Sequence, residues 1–148
     1  MAVTSTPIFS QTPYVKQLTL AAQTACTTRG PTATASLAGA HITAFVPIST
    51  NGLRIDSIQV NGISTAIGQA SVANLVGIWI WDGTTAYLWT EILVTAVTPS
   101  ATAVAYNTTY TPTLPLNLPA AFALYASVSV TTTAAGAALQ VTAFGGAY

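Results

Sequence analysis

Residues 76–95 read VGIWIWDGTTAYLWTEILVT: two apolar, aromatic-rich runs on either side of Asp82-Gly83. Asp-Gly between β-formers is the strongest short-range hairpin signal, because Gly accepts positive φ and Asp tolerates it. A three-residue loop, with Gly83 in the left-handed position, sets Ile80 opposite Thr84. Odd residues then pair with odd, and even with even. Trp79, Tyr87 and Trp89 share one face, with Gly77 opposite Tyr87; Val76, Ile78, Ile80, Leu88, Ile92 and Val94 share the other. A two-residue loop would redistribute these side chains, since a one-residue slip sends a side chain to the opposite face. Either way both faces are apolar, and a strand pair covered on both sides belongs inside an assembly rather than at a wet edge.

The rest of the surface poses the same problem. The chain has 148 residues, enough for one domain, and only 4% of them are charged while 51% are hydrophobic. An ordinary soluble domain carries roughly 25% charged residues. With a net charge of zero, little opposes self-association, so the surface is expected to be covered by other protein. No window approaches the ~18 apolar residues of a spanning helix, and the Trp residues cluster in one hairpin instead of forming the two girdles of a membrane barrel. Lys16, Arg29 and Arg54 are too few to neutralise a row of phosphates, which sets nucleic acid aside as a partner. The N-terminus lacks the basic start and apolar core of a signal peptide. Synthesis in a cytoplasm is the expectation, with which a single cysteine, Cys26, agrees.

The first fourteen residues hold Pro7 and Pro13, with Ile8, Phe9 and Tyr14 among them, and read as an extended arm. Fourteen extended residues reach up to ~46 Å. Residues 15–148 form the body. Strands are expected at 15–22, 40–48, 53–60, the two arms of the hairpin, 101–106, 122–130 and 139–144, with residues 114–118 as an apolar edge between prolines. In 40–48, Ile42, Ala44 and Val46 alternate with His41, Thr43 and Phe45. In 53–60, Leu53 and Ile55 are out of phase with Ile58 and Val60, which calls for a bulge or a crossing between sheets near Asp56-Ser57. No segment holds a helical period. About eight β segments separated by turn residues give an all-β, two-sheet antiparallel sandwich, jelly-roll-like, preceded by the arm.

Little in the chain is suited to catalysis. A hydrolase needs a nucleophile, a base and an orienting group, and the supply is Cys26, His41 and the carboxylates Asp56, Asp82 and Glu91. Asp82 is explained by its turn. Arg54 and Asp56 share a face and form a structural ion pair supported by Glu91. Cys26 and His41 are too few for a zinc site, so no metal or other cofactor is expected. There is no phosphate-binding glycine loop and no nucleophile elbow. Two non-enzymatic roles remain: a structural assembly protein, or a carbohydrate-binding module in which Trp79, Tyr87 and Trp89 stack on sugar rings.

The segments NGLRIDSIQVNG (51–62), IWIWDGTTAYLWTEILVTAVTPSAT (78–102), LPLNLPAAFALYASVS (114–129) and VTAFGGAY (141–148), in that order, resemble small virion proteins of tailed bacteriophages, in particular capsid cement or decoration proteins. Relatives carry more charge across residues 79–89, where this chain has aromatics. The resemblance implies a sandwich or jelly-roll body, a homotrimer at three-fold and quasi-three-fold positions outside the head, the major capsid protein as partner, and an arm that grips the shell. Pro7, Ile8, Phe9, Pro13 and Tyr14 are the residues expected to anchor it. A head-fibre or tail component is the alternative within the same class.

Overall fold

The structure, a computed structural model, describes residues 12–63, 68–133 and 137–148. Its strands are β1 (Thr12–Leu20), β2 (Thr32–Ala33), β3 (Thr43–Val46), β4 (Leu53–Gly62), β5 (Asn74–Trp81), β6 (Thr85–Val94), β7 (Asn107–Tyr110), β8 (Leu116–Leu118), β9 (Ala123–Val128) and β10 (Leu139–Ala147), with one short 3₁₀ turn at Thr34–Ser36. They form two antiparallel sheets. The first runs β1-β10-β4-β7, with β8 on the same edge of β4 as a separate piece; the second runs β2-β6-β5-β9-β3. Treating β7 and β8 as one broken line and β2 as an added edge leaves two four-stranded paths in the order of a jelly roll.

One core fills the space between the sheets. Leu53, Ile55, Ile58 and Val60 of β4, Val76 and Ile78 of β5, Leu124 and Val128 of β9, and Val141 of β10 are all fully or almost fully buried there. The phase change in β4 is a bulge. Phe144 pairs with Ser57 and Gly145 with Ile55, so Asp56 has no partner and both halves of the strand point their apolar residues inward.

Several local expectations are corrected. β1 begins at Thr12 and pairs Pro13 with Gly146 and Tyr14 with Gly145, so the body starts ahead of the expected boundary at residue 15. A proline is tolerated there because β1 is an edge strand. The strand expected at 101–106 lies later, at Asn107–Tyr110. In β3 a bulge between Ala44 and Val46 turns Phe45 and Val46 both into the core, ending the expected alternation. His41 precedes that strand in a turn, at φ +58°.

The hairpin carries the largest correction. Its loop has two residues, not three. Asp82 N–H donates to the Thr85 carbonyl at 3.1 Å, Trp81 pairs with Ala86, and Trp79 pairs with Leu88. Gly83, at φ +101°, takes the first central position of the turn, where glycine is favoured. A bulge between Ile78 and Trp79 then leaves Trp89 without a partner and restores even-with-even pairing below it, so that Val76 meets Ile92 and Gly77 meets Glu91.

Candidate functional site

The outer face of the second sheet holds the features from which a site can be built. Residues 21–42 leave β1 and cross this face before entering β3. Cys26, Leu37 and Ile42 of that crossing bury Trp79 and Ala86 in a second apolar cluster, separate from the core between the sheets. The crossing is fixed at both ends. Cys26 N–H donates to the Val128 carbonyl at 2.7 Å, Thr34 N–H to the Thr84 carbonyl at 2.8 Å, and the Gln23 side-chain amide to the His41 carbonyl at 3.0 Å. Between the crossing and the sheet lies a depression of about 290 Å³.

Gly77 creates that depression. A Cβ there would lie 2.7 Å from Ser127 Oγ and 3.1 Å from the Trp79 indole nitrogen. At the floor the Trp79 Nε1–H donates to Ser127 Oγ at 2.9 Å, a fully buried hydrogen bond. At the mouth Arg29 Nε meets Glu91 Oε1 at 2.8 Å. Glu91 therefore pairs with Arg29 on the crossing segment and takes no part in the Arg54–Asp56 pair, contrary to the sequence expectation. Arg54 and Asp56 do pair: Nη2 donates to Oδ2 at 3.1 Å, and Nε lies 2.9 Å from Oδ1. Both side chains are more than a third exposed, so the pair is worth about 0–1 kcal/mol.

The three hairpin aromatics do not share a face. Trp79 is buried beneath the crossing segment. Trp89 packs toward the core and meets Tyr110 edge-on, ring centroids 5.5 Å apart. Tyr87 is 46% exposed. Leu88, expected with the core residues, joins Trp79 instead. The stacking platform expected of Trp79, Tyr87 and Trp89 is thus divided between two sides of the sheet, because the tight turn reverses the parity of the hairpin tip.

A different aromatic pair comes to the surface. Trp81 and Tyr125 lie with ring centroids 6.0 Å apart and line an apolar groove of about 400 Å³ together with Val46, Pro47 and Ile48. Ile48 is 52% exposed. No local sequence pattern signals this groove, which depends on the pairing of β5 with β9; that pairing sets Trp79 against Tyr125 and Trp81 against Ala123, residues more than forty positions apart. On the first sheet, Val15 and Phe144 are cross-strand partners and both are exposed. Pro13 and Tyr14, expected in the arm, sit in β1, and the Tyr14 ring packs on the core. The Tyr14 hydroxyl is covered, has no partner among the described residues, and is pushed up from its ordinary pKa by that burial. Pro7, Ile8 and Phe9 lie outside the described residues.

The remaining reactive groups are scattered. Cys26 is buried, with Sγ 3.6 Å from the Thr28 carbonyl oxygen. Asp82 is engaged by its own turn, accepting from Thr85 N–H at 2.8 Å and from Thr84 N–H and Oγ1–H at 2.9 Å each. Those bonds, the Thr85 one foremost, hold its carboxyl below the usual carboxylate range. Among the described residues no three of His, Cys, Asp and Glu gather as a metal site.

Fold and surface together define a two-sheet β-sandwich with an apolar groove and a small polar depression on one outer face. No protein-family model, curated protein or solved structure matches the chain.

Proposed function

We propose that the chain is a non-enzymatic structural protein of a tailed-phage virion, a decoration protein that binds the outside of the head as an oligomer, a trimer by the resemblance of its sequence, and ties neighbouring capsomers together. The observation that carries this reading is a surface rich in apolar groups and almost without charge. Val15, Ile48, Leu93 and Leu114 are each more than half exposed, yet the whole chain has three basic and three acidic residues. With so few charges, little opposes association, so a surface of this kind is expected to be covered by other protein. A sandwich seated where capsomers meet needs no chemistry beyond burial and backbone hydrogen bonding. The major capsid protein is the partner, and the outer capsid surface the place.

Shells assembled without this protein provide the test. Purified chain added to such shells is expected to co-sediment with them and to give density at three-fold positions in a cryo-image reconstruction. A freely soluble monomer with no affinity for the shells overturns the reading. Density confined to the neck, fibre or tail favours the alternative placement on the same particle.

A further inference from the structure

We infer that the depression under Arg29 and Glu91 is a binding site for one neutral pyranose ring. This inference is independent of the shell reading, since a virion protein and a free module can hold the same pocket. It also differs from stacking on the hairpin aromatics, which the fold separates.

The first argument is what each lining group has left to give. The Ser127 hydroxyl, 4% exposed, accepts from Trp79 Nε1–H, and its own proton is taken by no described residue. Arg29 uses only Nε on Glu91 Oε1, leaving four N–H donors on its terminal nitrogens. Glu91 keeps Oε2 as an acceptor. Donors and an acceptor side by side are what adjacent ring hydroxyls require, each hydroxyl being both donor and acceptor. The second argument is charge. Arg29 and Glu91 neutralise one another across 2.8 Å, so a singly charged ligand could claim one of them only by leaving the other unpaired, while a neutral polyol is accepted without net cost in charge. The third is size and wall chemistry. About 290 Å³ lies at the small end of ligand clefts, which begin near about 300 Å³, and holds one ring rather than a chain of them. Leu75 and Leu88 supply an apolar wall for the C–H face of such a ring. Finally, the pocket is built, not incidental: Gly77 is the one residue type that leaves its floor open beside Ser127 and Trp79.

Cys26 lines the same depression and is the chain's single cysteine; because it is buried, its slow alkylation is the supporting readout and ligand NMR the deciding one. The full chain is incubated with the methyl glycosides of glucose, galactose, mannose and N-acetylglucosamine. Sorbitol serves as an acyclic polyol, and acetate as an anionic control. Iodoacetamide labelling of Cys26 is followed by mass spectrometry, and binding is read independently by saturation-transfer NMR. The expected result is saturable binding of at least one glycoside, with neither control binding. Glu91→Gln, and separately Arg29→Gln, should weaken that glycoside about tenfold, the worth of one charge-assisted hydrogen bond. The inference is overturned if no glycoside gives saturation transfer, if sorbitol or acetate binds equally, or if both folded variants bind as the wild type does. The wild-type measurement decides by itself if neither variant folds.

Discussion

Gly145 lies against the Arg54 carbonyl so closely that a Cβ on it would sit 1.7 Å from the oxygen and 2.8 Å from the carbon. That contact is the other side of the β4 bulge: with Asp56 pushed out of register, the backbone of β4 closes onto β10 at the position where β10 has no side chain. Gly145→Ala therefore forces the two strands apart. The loss expected is about 3 kcal/mol or more, above the ordinary range for overpacking because the obstacle is backbone rather than a mobile side chain. Urea unfolding followed by fluorescence gives the midpoint shift; an unchanged midpoint would falsify the contact.

Asn74 joins the start of β5 to the end of β9. Its Oδ1 accepts from Ser129 N–H at 2.9 Å, Ser129 Oγ–H at 3.0 Å and Val130 N–H at 3.0 Å, while Nδ2 donates to the Val130 carbonyl at 2.8 Å. The side chain is buried, so Asn74→Ala removes the partner of both Val130 backbone groups, while Ser129 N–H keeps the Leu75 carbonyl at 3.0 Å. A loss of about 2–3 kcal/mol is expected, together with faster amide exchange at Val130. An exchange rate at the Val130 amide that matches the wild type would remove Asn74 from this role.

The Asp82 turn predicts a dependence on pH with a definite sign. Its carboxyl is held low in the folded chain by N–H donors from Thr85 and Thr84. A depressed folded pKa contributes stability above the unfolded value, about 3.9, and loses it as pH falls through the folded value. The stability gap between wild type and Asp82→Ala should be full at neutral pH and shrink in acid below about pH 4. Urea midpoints measured for both proteins across this range check the sign; a gap that widens in acid would contradict it.

How much of this was legible beforehand follows from the same residues. The β4 bulge could be read because it interrupts an apolar alternation within eight residues, and the two-sheet sandwich because turn residues separate β runs throughout. The hairpin tip could not be. Asp82-Gly83 serves equally well in a two- or three-residue loop, and the choice moves Leu88 and Trp89 to opposite sides. The bulge at Trp89 then restores the parity that the turn changed, which is why Val76, Ile92 and Val94 fall where the sequence puts them while Leu88 does not. The depression below Arg29 was hidden for another reason. It is made by Gly77 and Ser127 meeting across two strands under a long crossing segment, and no local pattern encodes that meeting. Glu91 was assigned to Arg54 by the same limit, since its true partner Arg29 is sixty-two positions away.

If the chain decorates a shell, its attachment should be nearly indifferent to salt. Arg29 and Glu91 pair with each other, and so do Arg54 and Asp56, which leaves few charges for an ionic bond to a partner. At 1 M salt the screening length is about 3 Å, and attraction between exposed charges is largely lost. Retention on shells should be the same in low salt and at about 1 M. Release by salt alone would mean that the contact is electrostatic.

The boundary of the arm can be tested apart from its role. β1 starts at Thr12, and Tyr14 packs on the core between the sheets. A deletion of residues 1–11 leaves β1 and the Tyr14 ring in place, and the thermal midpoint is expected to stay within a degree or two of the full chain. Extending the deletion through residue 14 takes away the Thr12–Ala147, Pro13–Gly146 and Tyr14–Gly145 pairings together with the Tyr14 ring. Burying an aromatic side chain is worth about 1.5–3 kcal/mol, and partial burial places Tyr14 toward the lower end, so a drop of several degrees is expected. The shorter deletion is also the one that isolates shell binding, because it removes Pro7, Ile8 and Phe9 and leaves β1 whole. On the decoration reading it abolishes co-sedimentation with shells while the fold persists. Undiminished decoration by the shorter deletion would take the grip away from these residues and assign it to the body, where the Trp81–Tyr125 groove and the Val15–Phe144 pair would be the surfaces to mutate next.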